Sequence, residues 1–203
     1  MIAVLTGDIV NSRSANSPKE WQDLLKFSLN KASTTGRWEI YRGDSFQAEL
    51  SNPTDALKSA LYIKACIKTV KGLDVRLAIG IGKKGFTANN VNESYGDAYI
   101  NSGERFELLK KDKIKLAINT NSEKFNEEFN LYFKLALTFM DNWTQNSAIL
   151  VKTFFENERL SQRELGALLG ISQSSTSERF NRAYVAEIVE LNDLFVKRIN
   201  ELI

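Results

Sequence analysis

Apolar residues fall into two regimes along the chain. Up to about residue 120 they come in short runs that alternate or stay unbroken between polar stretches; beyond it they recur at helical spacing. Ile2 to Thr6 is an unbroken run, which predicts a strand buried on both faces. A polar loop over residues 11–16 follows. Ser17-Pro18-Lys19-Glu20 then predicts a helix start, with Ser17 as cap, Pro18 in the first turn and Glu20 closing a capping box. That helix runs to about Ala32. Trp38 and Ile40 mark a second strand, and Phe46, Ala48 and Leu50 alternate as a third. Arg42-Gly43-Asp44-Ser45 between them predicts a tight hairpin turn. Asn52-Pro53-Thr54-Asp55 opens a helix with Leu57, Leu61 and Ile63 on its apolar side. Val75, Leu77, Ile79 and Ile81 alternate as a fourth strand. Glycine-punctuated loops from Gly82 to Gly96 lead to a helix from about Ala98 to Lys110. A last strand carries Ile114, Leu116 and Ile118.

Strand, helix, strand, strand, helix, strand is the order of a split βαβ, or ferredoxin-like, unit. From Ser122 onward the pattern is helical. The expected fold is therefore α+β, with a ferredoxin-like domain over residues 1–120 and an all-α domain over residues 142–203. A linking helix over residues 121–141 joins them, carrying Phe125, Phe129, Tyr132 and Leu135.

The all-α part holds the most specific local pattern. Ser161 and Glu164 form a capping box at the start of a short helix, with Leu165 and Leu169 facing inward. Gly170-Ile171-Ser172 makes a tight turn, in which Gly170 takes the positive φ and Ile171 anchors the turn in the core. Ser172 caps a second helix through Gln173, Ser177, Arg179 and Phe180. This is a helix-turn-helix pattern, whose second helix enters the major groove of DNA. The candidate base-reading residues are Gln173, Ser174, Ser177 and Asn181; the candidate phosphate contacts are Arg163, Arg179 and Arg182. Gly166 stands where such motifs usually carry a small alanine, and Glu178 where a basic residue is common. A helical hairpin used for protein contact is the competing reading.

Charge does little to decide between them. The formal net charge of the 203 residues is +2, and Asn142 to Ile203 carries seven Lys or Arg against eight Asp or Glu. The absence of histidine from the sequence matters more. Without it, metal chemistry rests on carboxylates, which favours Mg2+ or Mn2+; no zinc, haem or flavin is expected. Cys66 lies in an apolar helical pattern and reads as a buried thiol. The run Ile2 to Leu5 stops at Gly7-Asp8, so it reads as a strand and not as a signal peptide. No segment is long enough to cross a bilayer, and a cytoplasmic location is expected.

In the ferredoxin-like order the first and third strands are antiparallel neighbours. Asp8, ending the first strand, is thereby brought beside Asp44 in the hairpin before the third, with the carbonyl of Ile9 nearby. Oxygen ligands so arranged suit a divalent ion carrying a triphosphate, with backbone N–H groups of Asn11, Ser12 and Arg13 available to the phosphates. Turn-forming aspartates in a catalytically silent domain are the plainer reading.

Gly7-Asp8-Ile9-Val10 and Gly43-Asp44-Ser45-Phe46 resemble the two metal-binding segments of class III nucleotidyl cyclases and palm domains, and Arg76 to Gly82 resembles the fourth strand of that fold. The set Thr6 to Arg13, Gly43 to Gln47, Arg76 to Gly82 and Gly96-Asp97-Ala98-Tyr99, together with the helix-turn-helix tail, is similar to the SatD family. The cyclase resemblance implies metal at Asp8, Ile9 and Asp44, nucleotide near Arg42, and transition-state stabilisation by Asn101 and Arg105. The cyclases' base-reading lysine has no counterpart; its position is Ile40.

Two functions follow. One is a cytoplasmic, homodimeric, DNA-binding transcriptional regulator whose cyclase-like domain senses a nucleotide or metal. The other is an active metal-dependent nucleotidyl cyclase or related phosphoryl-transfer enzyme with a helical dimerisation tail. The dimer is expected along the linking helix near Phe129 and Leu135. A DNA-binding protein on an inert scaffold is the third possibility.

Overall fold

The computed structural model describes residues 1–15 and 17–202; Asn16 of the expected loop and Ile203 of the expected helical domain lie outside the described residues. Among the described residues the chain is α+β, with one mixed five-stranded sheet and eight α-helices. The central strand β1 (Ile2–Val10) is buried from Ile2 to Ile9. It is longer than expected. Gly7-Asp8-Ile9-Val10 continues the strand instead of leaving it, because β1 is hydrogen-bonded along both edges. Asp8 therefore lies inside the strand.

After β1 come α1 (Pro18–Ala32), β2 (Trp38–Tyr41) and β3 (Ser45–Leu50). Ser17 caps α1 by accepting from the Lys19 N–H; the reciprocal bond expected of Glu20 is not formed. Arg42 and Gly43 take φ 52° and 87° in the three-residue turn, Arg42 to Asp44, that joins β2 to β3. A short turn over Pro53–Asp55, capped by the Asn52 side chain, leads into α2 (Ala56–Lys68). Then follow β4 (Asp74–Gly82), α3 (Asp97–Asp112) and β5 (Leu116–Asn119). Ile114 falls just before β5. The strands lie in the order β2-β3-β1-β4-β5; β5 runs parallel to β4 and the other pairs are antiparallel.

Alternation assigns the sheet faces. Leu5 and Ile9 of β1, Phe46 and Ala48 of β3, and Val75, Leu77 and Ile79 of β4 share one face with α1 and α2. Val4 and Ala78 face the other way, against α3. Gly80 lets α3 descend onto the sheet: a Cβ there would sit 2.2 Å from the Ala98 carbonyl oxygen. Cys66 is buried as expected, and burial pushes its thiol up to about 11.

The remaining helices are α4 (Glu123–Met140), α5 (Gln145–Glu156), α6 (Gln162–Leu169), α7 (Gln173–Arg182) and α8 (Val185–Leu202). A single buried cluster runs from the sheet through α2 into α4, α5 and α8. Asn130 of α4 both accepts from the Ile118 N–H and donates to its carbonyl, at 2.9 Å each. It thereby satisfies the outer edge of β5 as a further strand would. Phe129 is wholly buried against Phe195 of α8 at 5.4 Å between ring centroids. A dimer contact through Phe129 is therefore corrected. Its ring is spent in the chain's own core, and the exposed apolar side chains of α4 are Leu131 and Leu135.

Sheet and helices are also joined by charge. Lys64 of α2, 2% exposed, lies 2.8 Å from Asp74 at the start of β4 and 2.8 Å from Asp141 after α4. Lys115 bridges the same two carboxylates at 3.0 and 3.1 Å. Lys68 lies 3.4 Å from Asp74 and donates to the Asp141 carbonyl at 2.9 Å. Burial alone would push Asp74 up, but the Lys64, Lys68 and Lys115 ammoniums outweigh it and hold the carboxyl below its usual range. Such a group stabilises the fold above its unfolded pKa, and the contribution is lost as pH falls through the folded one. Asp74→Asn should cost about 3 kcal/mol at pH 7, since it strands buried ammoniums. The gap to wild type in urea unfolding should begin to narrow below about pH 4 and close as pH falls further, through the depressed pKa of the folded carboxyl. A gap that stays constant from neutral to acid would show that the network does not stabilise the fold by charge.

Candidate functional site

Strand order brings the two aspartate segments together as expected. Asp8 lies opposite Ser45 across β1 and β3, and the Ile9 N–H donates to the Asp44 carbonyl at 3.1 Å. The Asp44 carboxylate accepts from the Ser12 hydroxyl at 2.5 Å. On its other side Asp8 lies opposite Arg76 across β1 and β4. Arg76 grips both carboxylate oxygens, Nε to Oδ1 at 2.8 Å and Nη2 to Oδ2 at 2.7 Å, and Lys110 of α3 approaches Oδ2 at 3.6 Å. The Asp8 hydrogen bonds hold the Arg76 guanidinium above its ordinary range. Asp8 is only 5% exposed, so this is a desolvated, bidentate pair.

A divalent ion at Asp8 would have to displace that guanidinium. With both oxygens taken, the residues as arranged do not fit a resident metal. Among the described residues no group of three or more Asp, Glu, Cys or His side chains could hold one. Ile9 keeps its side chain in the core. Of the expected phosphate contacts, Asn11 has φ 63° and donates from its side chain to the Gly72 carbonyl, Arg13 and Arg42 are exposed, and Ser12 is committed to Asp44.

Asn101 and Arg105 do not join this edge. Asn101 is buried and donates to the Ile81 carbonyl at 2.9 Å, while accepting from Asn119 at 3.3 Å. Ile81 lies opposite Ala3, five positions along β1 from Asp8, roughly 17 Å at strand rise. Arg105 lies 3.7 Å from Asp112 within α3. The four-residue spacing of the cyclase pair is present, but Asn101 ties α3 to β4 and β5 while Arg105 pairs within α3. Arg76 and Lys110 are the residues that sequence reasoning missed. The signal was a charge at Arg76 within an apolar strand, readable only once the β1–β4 register is known.

The second candidate region is α6 and α7, joined by a turn over residues 170–172. The Ser161–Glu164 capping box forms with both reciprocal bonds, Gly170 closes α6 at φ 65°, and Ser172 caps α7 by accepting from the Ser175 N–H. Ile171 is half-buried and lies outside the core it was expected to anchor. Leu165 and Thr176 hold the two helices together, and Phe180 packs on Phe154 of α5 at 5.6 Å. Gly166 has a physical reason. A Cβ there would lie 2.5 Å from Thr176 Oγ1 and 3.1 Å from the Ile171 carbonyl oxygen, so the usual alanine does not fit this close a crossing.

Gln173, Ser174, Ser177 and Asn181 lie within about 100° of one another around α7. Gln173, Ser174 and Asn181 are exposed and Ser177 is half-buried. Arg163 and Arg182 are exposed, Arg182 being paired with Glu178 at 2.6 Å. Arg179 projects from the far side of α7, half-buried, away from the other candidates.

The molecule is thus an α+β protein with an arginine-locked aspartate at one sheet edge and two short crossed helices near its C-terminal end. It belongs to the SatD family, whose model matches residues 1–189. That match covers the whole sheet and continues through α6 and α7 into α8. No curated protein and no solved structure matches the chain.

Two predictions follow from these contacts. Gly166→Ala should destabilise the protein by about 2 kcal/mol through overpacking. Adding Thr176→Ala, which removes the clashing oxygen, should recover about 1 kcal/mol of that loss in chemical denaturation; strictly additive effects would discard the contact as the reason for glycine. For the other region, thermal unfolding of the wild type should be unmoved by Mn2+ or Mg2+. Arg76→Ala should unfold at lower temperature and be partly rescued by Mn2+, which then neutralises Asp8. Wild-type stabilisation by either ion would overturn the assignment of Arg76 as the partner of Asp8.

Proposed function

We propose that the protein is a DNA-binding transcriptional regulator acting in the cytoplasm, with α6 and α7 as a helix-turn-helix and α7 as the reading helix. The observation that carries this is the polar arc of Gln173, Ser174, Ser177 and Asn181 on a helix capped at both entry and turn, with Arg163 and Arg182 exposed. Short amide and hydroxyl side chains on such an arc suit base edges, and the arginines suit phosphates. Two copies joined across the exposed Leu131, Leu135 and Leu194 of α4 and α8 would offer two reading helices to successive half-sites.

In this reading the N-terminal part is a ferredoxin-like domain of cyclase or palm type, a fold supported by its strand order and directions. Its role is to sense a nucleotide. The alternative, a metal-dependent cyclase or other phosphoryl-transfer enzyme, is weakened by the Arg76 lock on Asp8 and by the distance of Asn101 from it.

The test is selection from random duplex DNA followed by binding measured against salt. The wild type should recover a two-half-site sequence. Arg182→Ala should weaken binding to all sequences alike and reduce the salt slope by about one. Asn181→Ala should instead relax preference at one base position, by about 1–3 kcal/mol. If the wild type binds no DNA at low salt, with or without nucleotide, the reading fails.

A further inference from the structure

A cleft of about 430 Å³ opens where the lower end of the sheet meets the C-terminal helices. Its walls include Lys68, Lys71, Lys115 and Trp143, and its rim is the first turn of α5 at Thr144 and Gln145. Three features make it a receptor for an anion. The first is charge. Lys64, Lys68 and Lys115 share only two carboxylates, Asp74 and Asp141. Lys71 adds a fourth cation, which forms no ion pair among the described residues and is exposed. Of the cleft's own lining, Lys68, Lys71 and Lys115 meet Asp74 and Asp141, a surplus of one positive charge, and the buried Lys64 behind them raises the surplus of the network to two; Glu20 is the carboxylate of a neighbouring lobe that shares Lys71 and Gln145. Second, Lys68 is 8% exposed, so part of this surplus is held out of water, and burial lowers its ammonium below the ordinary range. Third, Thr144 takes the Ser147 N–H, so the earlier N–H groups of α5 lack an intrahelical acceptor, and Thr144 and Gln145 at this helix start line the cleft. Ammonium and backbone N–H groups are donors only, the complement of phosphate oxygens.

The cleft also has an outlet. Trp143 lines it, and its indole Nε1–H donates to the Ala183 carbonyl at 3.0 Å. Ala183 is the residue that closes α7. One side chain therefore touches both the cleft and the end of the second crossed helix.

We propose that this cleft binds a phosphate group, carried by a free polyphosphate or by the phosphate end of a nucleotide, and that Trp143 relays its occupancy to α7. The binding stands by itself; the relay rests on the regulator reading given above. The site is separate from the Asp8–Asp44 edge and needs no metal.

The test uses the full chain without added metal, titrated with sodium pyrophosphate and, in a second arm, ATP, at constant ionic strength. Pyrophosphate should raise the unfolding temperature where matched sodium chloride does not. Lys71→Glu, an exposed change that leaves the buried network intact, should weaken binding at least about tenfold. Lys83→Glu, beyond the far end of β4, should bind as the wild type does. Equal affinity for pyrophosphate and ATP identifies the phosphate as the whole ligand; at least about tenfold tighter ATP identifies a nucleotide. No stabilisation by either, or unchanged affinity in Lys71→Glu, overturns the site. For the relay, pyrophosphate should shift wild-type DNA affinity, and Trp143→Phe, which keeps an aromatic ring there but lacks the N–H, should keep pyrophosphate binding and lose the shift. Anion binding without any DNA binding removes the regulator reading and leaves the site. DNA binding without anion binding removes the site and leaves the reading. Both bindings with no shift remove the relay.

Discussion

The Lys64 ammonium is the constraint around which the rest is arranged. It sits almost wholly out of water between a carboxylate at the start of β4 and one just past α4. A buried charge is tolerable only when its partners are in place, and removing one leaves the desolvation cost uncompensated. The two partners lie on opposite sides of the joint between sheet and C-terminal helices. The pair thus fixes how α4 and the turn into α5 meet α2, which apolar packing alone specifies only by volume and shape. The fused core follows the same joint, with Phe129 and Phe195 closing over side chains that the sheet supplies.

Much of this was legible because period-two and period-three-to-four patterns report local geometry. Val75, Leu77, Ile79 and Ile81 alternate because they fill the main core while α3 sits so close on the other face of β4 that only the small Ala78 and Gly80 fit beneath it, and β1 reads as unbroken because both its faces are covered. Caps at Ser17, Ser161 and Ser172 were legible for the same local reason. What escaped needed contacts between distant positions. Arg76 and Asp8 are 68 residues apart and meet only through the β1–β4 register. Phe129 was visible as an apolar stripe, but a stripe does not say whether its cover comes from the same chain or another copy. Gly166 looked like a departure from a motif until Thr176 was seen to occupy the space of its missing Cβ.

The Asp8–Arg76 pair also shows how little a motif fixes by itself. The Gly7-Asp8 segment, which resembles a metal-binding segment, is here neutralised by Arg76 on a neighbouring strand. A bidentate guanidinium supplies in one side chain the positive charge that an ion would bring. Exposed cations also stand at the other candidate sites: Arg163 and the Glu178-paired Arg182 near α7, and Lys71 at the cleft.

The fused core bears on how the chain is made. On the ribosome the sheet is complete once Asn119 has emerged, but Lys64 still lacks Asp141 and the core still lacks α8. Phe195 and Ile199, both wholly buried in the finished protein, are roughly 80 residues behind, a delay of roughly 4–16 s at common synthesis rates. α4 and Asp141 follow within the first quarter or so of that interval, but the apolar face meant for α8 stands open to its end. Fast docking of α8 once it has emerged, or a holdase that covers the face until then, decides the yield of native protein. Mutations that slow the arrival of that last helix should therefore lower solubility in the cell before they lower the stability of the folded molecule.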